Sequence, residues 1–262
     1  RLDTSTDTRL LGTAPTSTIV AAGLAPVYVA GTNQQTISKG TDGTIYMAAS
    51  SATTDSFVVR CSTNCGVGTN WSEAGTQPGG SLAMDLANDF NLLMPLLGGS
   101  MLLINRDISA DDMRSRVWNG STWSGSWDVF DSNAVENATY DNSFAATQDS
   151  TSGDIYLAYA QDNDTYTTLD HDVSTAKYVS GSWTATADVF TNTTRGLTAV
   201  AISLDTNLGV VYVGYGLRTT PATAATANVY YATSSSAMSS WGTEQGPVNT
   251  AAGDLYGIDM NI

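Results

Sequence analysis

Four segments of this chain carry one order of features, and that repetition constrains the fold more than any other property. Each holds an apolar strand, an Asp-containing turn and an aromatic-rich second strand. A polar loop, a third strand and a turn into Trp with a last strand follow. The second strands read GTIYMAAS (43–50), NLLMPLLG (91–98), GDIYLAYA (153–160) and GVVYVGYG (209–216). Their turn aspartates are Asp42, Asp89, Asp149 and Asp205. The tryptophans opening the last strands are Trp71, Trp123, Trp183 and Trp241, spaced 52, 60 and 58 residues apart. The clearest internal match sets VWNGSTWSGSWDVF (117–130) against KYVSGSWTATADVF (177–190).

A four-stranded unit recurring at this period predicts an all-β chain folded as a β-propeller. One blade cannot bury both faces, so neighbours stack around an axis and aromatic and β-branched residues fill the space between them. No sustained i, i+3, i+4 apolar pattern competes with this reading. The turn aspartates have a structural cause, since Asp hydrogen-bonds its own turn backbone. Repeats are expected at about 35–80, 81–140, 141–195 and 196–252. Residues 253–262 read as the innermost strand of another blade, which 1–34 would complete as a composite fifth blade. Closure in this way removes exposed edges and gives about 52 residues per blade across 1–262. The competing solution is a fragment of a longer propeller, a structural repeat of a larger surface protein. The opening RLDTSTDTR reads as a mature or trimmed start.

Charge narrows the partners. The formal net charge is −15, with Lys only at Lys39 and Lys177 and eight arginines. A chain so poor in cations cannot neutralise a row of phosphates, so nucleic acid is excluded as a partner. Anionic membrane surfaces are disfavoured on the same ground. The longest apolar stretch, Leu92 to Ile104, is too short to insert as a membrane span and holds Pro95 and two glycines. Cys61 and Cys65, four apart, suit a small disulfide loop made in an oxidising compartment, with two free thiols as the alternative. They are too few for a structural zinc site.

The turn ahead of the first repeat tryptophan, RCSTNCGVGTNW (60–71), resembles the Asp-box hairpin S-x-D-x-G-x-T-W. That motif marks the Asp-box (BNR-repeat) sialidase-like β-propeller family, here of the non-catalytic bacterial surface type. Ser62, Asn64, Gly66, Thr69 and Trp71 carry the likeness, with Asn64 replacing Asp. WNGSTW (118–123), VSGSWT (179–184) and SSSAMSSW (234–241) are degenerate versions. The resemblance implies a fold and, because the box is structural in that family, no catalytic role. The arginine triad and nucleophile pair of sialidases find no match in this sequence.

Two sets of carboxylates are candidates for chemistry. The repeat alignment places Asp85 and Asp259 on innermost strands, where Ala145 and Ala201 stand in other blades. Two channel-facing carboxylates would let a propeller glycoside hydrolase cleave a sugar bond; solvated acids lining a channel are the plainer reading. The second set sits in the loops joining second to third strands: Asp107, Asp111, Asp112, Asp162, Asp164, Asp170 and Asp172. Hard oxygens at 162–164 suit calcium, although the spacing lacks the Gly and Glu of an EF-hand loop; no other cofactor or metal is expected. His171, the one histidine, stands among them as an ordinary loop residue. The expected function is a non-catalytic recognition or scaffold module, secreted or on a cell surface. Its expected partner is a glycan or surface protein held at this acidic loop face.

Overall fold

The computed structural model describes residues 37–50, 55–67, 70–73, 82–83, 90–107, 112–132, 144–161, 172–190, 196–218, 228–248 and 260. These residues form four antiparallel sheets, taken in chain order. The first comprises β1 (Ile37–Lys39), β2 (Ile45–Ser50), β3 (Asp55–Cys61) and β4 (Ser72–Glu73), with β5 (Leu82–Ala83) also paired to β3. The second runs β6 (Phe90–Pro95), β7 (Met101–Asp107), β8 (Asp112–Trp118), β9 (Asp128–Asp131). The third runs β10 (Phe144–Gln148), β11 (Ile155–Gln161), β12 (Asp172–Val179), β13 (Ser182–Ala185). The fourth holds β14 (Gly196–Asp205), β15 (Val210–Arg218) and β16 (Asn228–Ser235). A single bridge, Tyr231 to Gln245, stands beyond β16 where the repeat predicts a fourth strand.

Alternation along each strand sends successive side chains to opposite faces, and the sheets stack through those faces. Tyr46, Ala48 and Val58 of the first sheet meet Leu93, Met101, Leu103 and Trp118 of the second. The other face of the second sheet, with Leu102, Ile104 and Met113, meets Phe144, Ile155, Leu157 and Tyr159 of the third. Tyr156, Ala158 and Val173 then meet Val200, Val211, Val213 and Tyr215 of the fourth. The leading strands approach one another, β1 to β6, β6 to β10 and β10 to β14. This is blade stacking, and the chain folds as an all-β propeller.

The repeat match holds in register. Tyr178 pairs with Trp183, and Trp118 forms a bridge with Trp123. Phe130 of the second sheet stacks on Trp183 of the third at 4.2 Å, so the DVF segment ties one blade to the next. The turn aspartates cap as expected: Asp42 accepts from the backbone N–H of Thr44, Asp149 from Thr151 and Asp205 from Asn207 and Leu208. The Thr151 N–H holds the Asp149 carboxyl below its ordinary pKa.

One repeat is offset from the sequence reading. NLLMPLLG was expected to be a second strand, but its strand residues belong to β6, the first strand of its sheet, and β7 is the second. Both strands of this hairpin are apolar, so hydrophobicity does not tell them apart. Their turn carries Gly98 and Gly99 at positive φ in place of an aspartate. Asp89 therefore precedes the first strand and is outside the described residues.

Neighbouring turns interlock at this end. Thr41 accepts from the Gly99 N–H, and Leu97 lies where a Cβ on Gly153 would meet it at 2.9 Å. Gly153→Ala is therefore expected to cost more than Gly209→Ala in chemical denaturation. Both glycines have positive φ, but nothing lies within 4 Å of a Cβ at Gly209. Equal costs would show that Leu97 yields without loss.

Candidate functional site

The carboxylates singled out from the sequence belong to the edge where second strands hand over to third strands. At that edge β7 ends opposite the start of β8, with Asp107 and Asp112 directly paired. On the next sheet Gln161 stands opposite Asp172. Asp112 and Asp172 thus open their strands at the same register position. Asp112 is half-buried and Asp172 buried. Asp111, Asp162, Asp164, Asp170 and His171 are outside the described residues, as are Asp85 and Asp259. The strand position that holds Ala145 in the third sheet is taken by Leu92 in the second, because β6 begins at Phe90. Among the described residues no three metal-ligating side chains gather at one point.

Asp107 turns inward rather than out. It forms an ion pair with Arg114, both side chains being buried. Arg114 Nε also donates to Asn105 Oδ1 at 2.7 Å, and Asn105 Nδ2 donates to Asn91 Oδ1 at 3.0 Å. This polar row crosses three strands on the face toward the first sheet, at positions that hold Phe144, Tyr159 and Ser174 in the third. Arg116, two residues along β8, shares that face. The guanidinium carbons of Arg114 and Arg116 lie 4.4 Å and 4.6 Å from the Trp127 ring centre. Arg116 Nε and Nη1 are buried with no hydrogen-bond partner among the described residues. Burial, followed by the charge of Arg114, pulls its pKa below the ordinary arginine value.

On the opposite face a second cluster joins two sheets. Tyr159 donates to Asp131 Oδ2 at 2.7 Å, and Ser174 donates to Asp188 at 2.8 Å and to Gln161. Burial first, then Asp131, raises the Tyr159 pKa far above the ordinary phenol, so Tyr159 stays a donor. These carboxylates are held as acceptors within structural hydrogen bonds. Trp127 is one of the aromatics whose sequence context suits inter-blade packing or sugar stacking, whereas no site role was assigned to the arginines, although Arg-x-Arg inside a strand of so acidic a chain was a visible signal.

Cys61 and Cys65 form a disulfide. It closes the loop whose Cys65 carbonyl accepts from Trp71 Nε1 at 2.9 Å. Asn64 takes a positive φ of 52°, a conformation Asn tolerates well.

No protein-family model and no curated protein sequence matches the chain. Solved structures do resemble it. A protein of unknown function from Dyadobacter fermentans matches with a TM-score of 0.54 and 11% identity, over 86% of this chain and 73% of that one. The α-L-arabinanase of Penicillium chrysogenum, complexed with arabinobiose, matches at 0.52 and 16% identity, over 85% and 69%. A triple arginine mutant of AofleA from Arthrobotrys oligospora matches at 0.55 and 10%, over 89% of this chain and 62% of that one. At these identities the likeness concerns the fold alone. Fold and site together define a β-propeller with polar clusters buried between its blades.

Proposed function

We propose that the chain is a non-catalytic, extracellular recognition propeller that binds a glycan or a surface protein through its acidic loop face. One observation carries this reading. Asp112 and Asp172 open the third strands of neighbouring sheets at the same register, so acceptor groups recur along one edge of the stack. Recurrent carboxylates suit sugar hydroxyls as hydrogen-bond acceptors. The described carboxylates nearby, Asp107, Asp131 and Asp188, are committed to Arg114, Tyr159 and Ser174, which favours binding over acid–base work. The likeness to an arabinanase is in keeping with glycan recognition, and the disulfide with an exported chain. Calcium at the loop around 162–164 belongs to the same proposal.

A glycan array with and without calcium tests it. Binding to a defined glycan is expected, weakened at least tenfold in Asp112→Asn/Asp172→Asn. Silence in both conditions would sink the glycan arm, leaving a protein partner for pull-down from the native surface to supply.

The five-bladed closure is part of the proposal: 1–262 would form a single propeller, with 253–262 and 1–34 in its closing blade. Removing 1–34 should then lower the melting temperature. An unchanged value rejects the closure and favours a piece of a longer array.

A further inference from the structure

The interface between the first and second sheets holds cations in a chain that has few. Arg114 and Arg116 project into it from β8, and Arg60 reaches it from β3. Arg60 donates to the Gly120 carbonyl at 3.2 Å and lies 5.3 Å from the Trp118 ring centre. Three of the chain's eight arginines thus meet two tryptophans, Trp118 and Trp127, in a chain of net charge −15, and Trp123 packs on Trp118.

Asp107 answers Arg114. Arg116 has no acidic partner among the described residues, and it is only 9% exposed. Stacking on indole offsets part of the cost of burying it. It leaves Nε and Nη1 without the hydrogen bonds that buried polar groups almost always make. Packing alone would be met more cheaply by Leu or Met at this position.

We propose that Arg116, at this interface, binds the carboxylate of a uronic acid residue in an acidic polysaccharide, with Trp127 against the sugar ring. One unanswered guanidinium matches one planar monoanion, and its fork geometry favours a carboxylate. A neighbouring indole supplies the flat apolar surface that a pyranose face covers. Trp127 is half-buried between exposed Ser126 and Asp128, whereas Arg116 beneath it is buried. Binding therefore requires the indole to slide off Arg116. The site is separate from the loop face: it needs no calcium and selects the opposite charge.

The test is a titration of the full chain with trigalacturonic acid and with its methyl ester, in EDTA, by calorimetry and tryptophan fluorescence. The acid should bind and shift the emission, and the uncharged ester should bind at least tenfold more weakly. Arg116→Met should lose at least tenfold in affinity while keeping its circular dichroism. Trp127→Phe should lose most of the fluorescence change. Replacing EDTA with calcium should leave the titration unchanged; a requirement for calcium would move the site to the loop face and overturn the proposal. Equal binding of acid and ester, binding of neither, or full affinity in Arg116→Met would overturn the proposal. If Arg116→Met does not fold, the comparison of acid with ester on the parent chain decides.

Discussion

Replacing Trp118 with alanine is expected to cost about 3–5 kcal/mol in chemical denaturation. Trp118 is the largest fully buried side chain among the described residues, at 0% exposure, and closes the contact between the first two sheets. Its ring lies 5.4 Å from that of Trp123 and receives the Arg60 guanidinium. Truncation loses the transfer energy of an indole and leaves a void between two sheets that cannot collapse independently. For a chain of this size the melting temperature should fall on the order of 10 °C. Trp118→Phe supplies the control. The indole N–H is buried with no partner, so phenylalanine removes that penalty while keeping most of the ring. A cost under about 1 kcal/mol for alanine would show that the sheets do not depend on this contact.

Arg114→Met is expected to cost about 3–5 kcal/mol, because it leaves the Asp107 carboxylate buried without its cation. Asn105 also loses the Arg114 donor. Arg116 gains, since Arg114 is the like charge that disfavours its protonation, so the loss should fall toward the lower end. The double variant Arg114→Met/Asp107→Leu should recover most of the deficit, because removing both charges of a buried pair is often neutral. Urea denaturation of the parent, both singles and the double gives the coupling energy. A double variant as unstable as the sum of the singles would show that the pair carries no coupling.

The sequence grouped Asp107 with Asp111 and Asp112 as one acidic rim. The structure turns Asp107 into the blade interface and leaves Asp112 beside it at the strand edge. Strand alternation alone does not separate them, because the exact end of β7 decides which face Asp107 takes. The same limit applies to Asp85. A hairpin apolar on both strands can slide by one whole strand in an alignment, and only hydrogen-bond register shows that β6 leads its sheet.

Much of the fold was nevertheless legible. The tryptophan spacing, the turn aspartates and the paired DVF segments arise from local rules: alternation, turn chemistry and aromatic packing between stacked sheets. Those rules act within a few residues, so a single sequence displays them. The disulfide between Cys61 and Cys65 was readable for the same reason, since four residues keep the thiols near each other.

What the sequence determined by itself was therefore the repeating unit and the class of fold. The tertiary structure decided which charges meet. Arg114 finds Asp107, and Arg116 finds the Trp127 ring, through strand register and the stacking of one sheet on the next. A charged side chain on a strand has two possible faces, and its partner comes from another strand or blade. Local pattern fixes the period of that choice, while long-range packing fixes its outcome.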